Sequence, residues 1–469
     1  MARLLGIVGV LLLVSGCGAQ KEATSPTLAE PAAQEEYTDY GHRDSTRAAV
    51  DPRSTFAADI DTASYTLARR KLQSGELPPP ASVRVEEFVN YFPYDYTPPS
   101  PANLDIHFEA APSPFSAGAH LVRVGIQGRK VPFDERKPAN LTLLIDTSGS
   151  TSEDGKLALA KAAVKILVDE LGDDDDVAIV AYGGSAGLVL SPTPVTRKAD
   201  ILAALDRLAA GGDSAMGAGL ELAYRQAEQS YREDAVNRII ICSDGAANVG
   251  DAPIPERHRG VPLTVLGFGP SDYSDTTLEQ LAARGDGNYF FIDTEREASR
   301  VMADKLTGTL QIIANDVKVQ VEWTEAVATH RLLGFENREL ADHHFRDDAI
   351  DGGEVGAGHQ VTALYEIVLA SEAPGNLAMV RVRSNGVERA FPLSTDAVKP
   401  SFEEGSRSYR LAVSVAYFAE ILRRSPHVLD MEMDAVLKVA REAQRAEYPE
   451  DEELVELIEV AQGLLSTGG

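Results

Sequence analysis

The chain has little cysteine, two residues in 469. That excludes the disulfide framework of a small secreted module. Cys242 lies inside an apolar run and reads as an inert core thiol. Positive charge is scarce as well. Lys and Arg number 44 against 72 Asp and Glu, a net charge of -28. A surface so acidic repels phosphate backbones, which argues against nucleic acid as a partner. Beyond the N-terminus no apolar run is long enough to cross a bilayer. There is no HExxH, and no Ser/His/Asp or Cys/His spacing that reads as an activated nucleophile. The length suits roughly two to four domains with ample cores.

What is present begins with a short basic start, Met1-Ala-Arg3, and an apolar run, Leu4 to Val14. The run is the length of a signal-peptide core. It ends in Val14-Ser15-Gly16-Cys17, which resembles a bacterial lipobox, with Cys17 as the lipid-modified first residue of the mature chain. The alternative is an ordinary secretion signal with an incidental cysteine. A lipobox implies anchoring by acyl chains. Gly18, where Asp would signal retention in the inner membrane, implies the outer one. Residues 18–53 are rich in Ala, Glu, Pro, Ser and Thr without apolar periodicity, the composition of a disordered tether.

The most informative stretch is Leu141-Thr-Leu-Leu-Ile-Asp146-Thr-Ser148-Gly-Ser150. Its apolar half suits a strand buried on both faces. Its polar half places a carboxylate and two hydroxyls at alternate positions in one loop, hard oxygen donors suited to Mg²⁺ or Mn²⁺. By itself such a loop reads more readily as a polar turn capping a helix. Two later stretches favour the metal. Gly211-Gly-Asp213-Ser214-Ala-Met-Gly217 precedes a helical pattern over 218–229, and Arg238-Ile-Ile-Ile-Cys-Ser-Asp244-Gly245 is a second apolar strand ending in a carboxylate.

This three-part order resembles the metal-ion-dependent adhesion site of von Willebrand factor A domains. The resemblance implies Asp146, Ser148, Ser150, Ser214 and Asp244 as ligands of Mg²⁺ or Mn²⁺. Ser214 stands where the family has threonine. It keeps the hydroxyl but loses the methyl that restricts its rotamer, and Asp213 adds a carboxylate beside it.

Strand and helix patterns alternate from about 139 to 310, which predicts a doubly wound, Rossmann-like sheet with right-handed crossovers. The Asp173–Asp176 run reads as a solvated turn in preference to a Ca²⁺ loop. Period-two alternation predicts antiparallel strands on both sides of this module, half-exposed ones at 104–126 and further ones at 317–393, with Asn385-Gly386 as a hairpin turn. The expected fold is therefore an α/β domain inserted in a discontinuous antiparallel β-sandwich. Short helices and the first sandwich strands occupy 54–138, the remaining strands 311–400, and C-terminal helices 401–469. The helical pattern after Gly285 is expected to run from Glu295 to Leu310. Stretches such as Asp59-Ile-Asp61-Thr-Ala-Ser-Tyr65 and Gly334-Phe-Glu-Asn-Arg338 also resemble bacterial lipoproteins of the same family. Asp59 and Asp61 read as turn and capping residues before cation ligands. His343-His344 lacks a partner set for a metal.

These features predict a membrane-anchored, metal-dependent binding module, not an enzyme. Its partner is a protein that completes the metal shell with an acidic residue. The alternatives are a hydrolase that activates water on the metal and a structural envelope protein with a vestigial site.

Overall fold

The structure is a computed structural model and describes residues 37–58, 61–245, 260–269, 275–306, 310–350, 352–370 and 375–467. Along the chain come β1 (Thr46–Arg47), β2 (Arg53–Ala57), α1 (Ala63–Gln73), α2 (Val85–Tyr91), β3 (Leu104–Pro112) and β4 (Ala119–Gly128). Next are β5 (Ala139–Asp146), α3 (Lys156–Glu170), β6 (Asp176–Tyr182), β7 (Ala186–Pro194), α4 (Lys198–Asp206), α5 (Met216–Gln229), β8 (Val236–Ser243), β9 (Leu263–Phe268), α6 (Asp275–Arg284), β10 (Tyr289–Ile292) and α7 (Glu295–Ser299). Then follow β11 (Ile312–Ala314), β12 (Lys318–Trp323), β13 (Val327–Leu333), β14 (Val355–Gly356), β15 (Gln360–Leu369), β16 (Asn376–Ser384) and β17 (Val387–Ser394). Helices α8 (Arg407–Leu422), α9 (Met433–Ala443) and α10 (Pro449–Thr467) close the chain.

Six strands form the α/β sheet in the order β10-β9-β8-β5-β6-β7. All neighbours are parallel except the edge strand β7. Every residue of β5 is buried, because helices cover both faces. One face packs on α3, α4 and α7; the other packs on α5, α6 and, from outside the module, α1. The chain leaves β5 toward β6 and later returns to β8 on its other side. That reversal opens a crevice at the carboxyl ends of β5 and β8, where α/β sheets bind ligands.

The flanking strands form two antiparallel sheets, β1-β13-β15-β4-β3 and β17-β16-β12-β2, with one apolar core between them. Each sheet takes strands from both sides of the α/β module. The hairpin at Asn385-Gly386 forms as its sequence dictates, both residues having positive φ (49° and 76°). Four expectations need correction. In β4 every residue but His120 is buried, not half-exposed. The reason is that α2 and α8 cover the outer face of its sheet, where Leu121, Leu333 and Leu364 join Phe88, Tyr409 and Phe418 in a second core. Thr46 and Arg47, expected in the tether, pair with His330 and Thr329. The helix after β10 is α-helical only to Ser299 and continues as a π-helix over Arg300–Leu306. Asp175 is fully buried, not solvated: it accepts the Ala139 and Gly172 amides at 2.6 and 2.7 Å and pairs with the Arg136 guanidinium, so it pins the start of β5.

Charged side chains tie the layers together. Arg69 of α1, 1% exposed, pairs with Asp293 after β10 (2.5 Å), Glu297 of α7 (3.1 Å) and Glu453 of α10 (3.1 Å). Glu86 of α2 makes a second tie. Its carboxylate accepts the Phe335 amide at 2.8 Å at a turn where Gly334 and Phe335 both have positive φ. A Cβ on Gly334 would collide with that carboxylate, so the turn needs glycine there.

Burial pushes the Glu86 carboxyl up to about 7, reinforced by the charges of Glu336 and Glu87 and opposed by the Phe335 amide. The folded chain therefore keeps this proton over a range where the unfolded chain, with an ordinary value of 4.5, has lost it. Stability contributed by the protonated form falls as pH rises from about 4.5 through about 7. Urea unfolding at pH 5 and pH 8 should show Glu86→Gln losing roughly 2–3 kcal/mol less than the wild type across that interval. Identical losses would remove Glu86 as the source.

Candidate metal centre

β5 delivers Asp146 to the crevice, and the backbone then turns sharply. The Thr147 amide and hydroxyl both donate to the Tyr182 carbonyl at the end of β6, at 2.7 and 2.9 Å. The Ser148 amide donates to Asp146 Oδ1 at 2.8 Å, closing the turn on its own carboxylate. Ser148 and Ser150 place their hydroxyl oxygens 3.1 Å apart. Asp146 Oδ2 is buried with no hydrogen-bond partner among the described residues. The Tyr182 phenol lies close enough to feel the Asp146 charge but makes no hydrogen bond of ordinary geometry with it.

Asp244 sits just past the end of β8, 2% exposed. Burial pushes the Asp146 carboxyl up, the Ser148 hydroxyl and amide pull it down, and the charge of Asp244 pushes it up again. The two carboxylates are thus electrostatic neighbours. Lys156, at the start of α3, places its ammonium 3.4 Å from Asp244 Oδ2. Cys242 is buried beneath them; burial and then the Asp146 charge raise its thiol to about 12, which keeps it inert.

The third loop is joined to the first through backbone. Gly211 N donates to the Thr147 carbonyl and Gly149 N to the Gly212 carbonyl, each at 2.8 Å. Gly212 has φ +82°, and a Cβ there would lie 2.6 Å from the Gly184 backbone. A Cβ on Gly183 would lie 2.9 Å from the Gly211 carbonyl and the Thr147 hydroxyl. Two Gly-Gly pairs therefore press backbone against backbone beside the Asp146 turn. Sequence reasoning singled out Asp213 and Ser214 and passed over these glycines, although the paired doublets were the available signal. The structure gathers Asp146, Ser148, Ser150 and Asp244 and carries Ser214, exposed, on the adjoining loop. The Ser214 hydroxyl bonds to none of the other four.

Among the described residues no three His, Cys, Asp or Glu side chains gather as a metal cage. The donor set is two carboxylates with neighbouring hydroxyls. A buried carboxylate oxygen without a partner beside a hydroxyl pair fits a hard divalent cation. Asp61 is not part of any such set: it accepts the Tyr289 amide at 2.8 Å and pairs with Arg338 at 2.7 Å. Cys17 and Asp59 lie outside the described residues.

The von Willebrand factor type A domain model matches residues 140–304, and a model described as von Willebrand factor matches 31–123. A model of the C-terminal part of the uncharacterized protein YfbK matches 308–390 and 370–464. The chain is 36% identical over 460 residues to the uncharacterized protein YfbK of Escherichia coli (strain K12), covering 89% of this chain and 79% of that one. The uncharacterized protein sll0103 of Synechocystis sp. is 33% identical over 184 residues, 38% of this chain and 43% of that one. Among solved structures, a von Willebrand factor type A protein from Catenulispora acidiphila aligns over 78% of this chain and 91% of its own at 16% identity, with a TM-score of 0.46.

The glycine contacts are testable against a control in the same stretch. Gly212→Ala meets both positive φ and the Gly184 backbone and should cost roughly 3 kcal/mol. Gly217→Ala, in the first turn of α5 with nothing within 4 Å of its Cβ, should be neutral or stabilise by up to about 1 kcal/mol. Chemical denaturation of both variants decides the matter, and equal effects would remove the clasp as an explanation.

Proposed function

From the chain's membership of the YfbK family of bacterial proteins, built around a von Willebrand factor A domain, we propose that it is an envelope-anchored binding module whose metal centre captures an acidic group of a protein partner. Domains of this type are in general non-enzymatic interaction modules that bind a divalent metal. The single observation that carries the finer reading is the unpartnered Asp146 Oδ2, buried beside the Ser148 and Ser150 hydroxyls.

In this reading Asp146, Ser148, Ser150, Ser214 and Asp244 hold Mg²⁺ or Mn²⁺. When bound, the ion supplies an open coordination position for a carboxylate oxygen. The protein's own part is placement. Asp146 Oδ1 is already engaged by the Ser148 amide, which leaves Oδ2 for the ion. The hydroxyls add oxygen donors without adding negative charge. The backbone bonds between the Gly211-Gly212 loop and the Asp146 turn carry Ser214 to the same rim. The net charge suits this role, because a strongly acidic protein repels acidic partners everywhere except at a local cation.

The anchor belongs to the same proposal. Acylation of Cys17 and the Ala-, Glu- and Pro-rich segment that follows it tether the folded body to a membrane, the outer one by the identity of Gly18.

Titration calorimetry with Mg²⁺ and Mn²⁺ tests the site. Asp146→Ala should abolish binding while the domain stays folded, since it also relieves the repulsion with Asp244. Ser214→Thr should bind as well as the wild type or more tightly. Equal metal affinity in wild type and Asp146→Ala would sink the assignment. A metal-dependent pull-down from envelope extract, lost in Asp146→Ala, tests the partner. Cys17→Ser should abolish acylation and move the protein out of the membrane fraction; unchanged fractionation would refute the anchor.

A further inference from the structure

Lys156 follows Gly155, whose φ of +71° turns the chain into α3. Its side chain is 3% exposed and its Nζ lies 3.4 Å from Asp244 Oδ2. The stem is held from above. A Cβ on Gly269, just after β9, would lie 2.7 Å from Lys156 Cγ and Cε and 2.8 Å from Cδ, so a glycine there leaves room for the lysine. The Gly269 carbonyl is in turn fixed by Arg70 of α1 at 2.8 Å. Three elements thus aim one ammonium at one carboxylate. A buried ammonium is costly unless paired, and this one is paired with a carboxylate that belongs to the candidate metal centre.

The charge balance follows. Among the described residues, Asp146 and Asp244 bring two negative charges to the centre, and Lys156 cancels one. Asp213, exposed to solvent, is screened. A divalent ion then leaves the loaded site with one net positive charge; without Lys156 it would be neutral. We propose that Lys156 is a resident cation of the centre, holding Asp244 in place in the metal-free protein and keeping the loaded site positive so that it selects an anionic group. The inference rests on the metal-binding reading above. It also assigns a trade: the ammonium repels the incoming ion, so metal affinity is lower than the oxygen donors alone would give.

Calorimetry with Mg²⁺ and Mn²⁺ on the full chain tests this with Lys156→Met, Lys156→Gln and Lys156→Arg. The two neutral variants should bind metal roughly tenfold more tightly, and the arginine variant should stay close to wild type. Acetate titrated onto the Mn²⁺-loaded protein, followed by water-proton relaxation, should bind more weakly to the neutral variants than to wild type. Thermal melts keep the test readable if metal-free Lys156→Met is unstable, because Mn²⁺ should then raise its melting temperature by more than it raises that of the wild type. Metal affinity unchanged or weakened in the neutral variants, or tightened equally in Lys156→Arg, would overturn the role of Lys156 while leaving the site intact. Wild type that binds neither ion would overturn the metal reading and this inference with it.

Discussion

Two carboxylates, Asp146 and Asp244, are kept out of water at the ends of neighbouring parallel strands, and the rim is arranged around the cost of that. Burial, and then the charge of Asp244, push the Asp146 carboxyl up. Among the described residues the compensations within reach include the Ser148 amide on one carboxylate, the Lys156 ammonium on the other, and hydroxyls beside them. One oxygen, Asp146 Oδ2, stays uncompensated. Two other buried carboxylate oxygens without a hydrogen bond, Asp316 Oδ1 and Glu420 Oε1, lie against Lys318 and Arg423; Asp146 Oδ2 has no such cation among the described residues, and that makes it informative. The glycine contacts behind it explain how the loops approach so closely: backbones press together where a Cβ on Gly183 or Gly212 would intervene.

The surrounding architecture serves the same rim indirectly. The α/β sheet does not stand apart from its host. α1 covers one of its faces, Arg69 links that helix to Asp293 and Glu297 at the far end of the module and to Glu453 in α10, and Arg70 reaches the loop that confines Lys156. Buried ion pairs of this sort add little net stability but penalise wrong arrangements heavily, since a broken pair strands a charge. The helix carrying Glu297 passes into a π-helical stretch, a conformation that recurs at functional positions.

Much of this was legible in the residues, for physical reasons. The mainly apolar strand before Asp146 and the second before Asp244 suit burial on both faces, and both are buried. Asn385-Gly386 could hardly be anything but a hairpin. What escaped was set by tertiary contact. β4 looked half-exposed because its alternation is real, yet α2 and α8 bring apolar side chains to its outer face. Asp175 looked solvated because it sits among three other aspartates, yet two amides and Arg136 draw it inside. Thr46-Arg47 carries no strand signal, since a two-residue edge is defined by its neighbour β13. The role of Gly183-Gly184 and Gly211-Gly212 was not legible, because what matters about each pair is the other pair. Lys156 was one basic residue at a helix start until β8 and β9 placed Asp244 and Gly269 against it.

The nesting of one domain inside another also dictates an order of events. β2 pairs with β12, Arg53 opposite Glu322, so the whole α/β module must be synthesised before that strand can join its sheet. Closing a loop of that length through disordered chain is entropically expensive and slow. Once the module has folded, its own ends stand close and the loop is short. The inserted domain therefore acts as a scaffold for its host: β3 and β4 can pair with each other beforehand, while β2 and the second edge of β4 wait for strands made after the module and are open to mispairing in that interval.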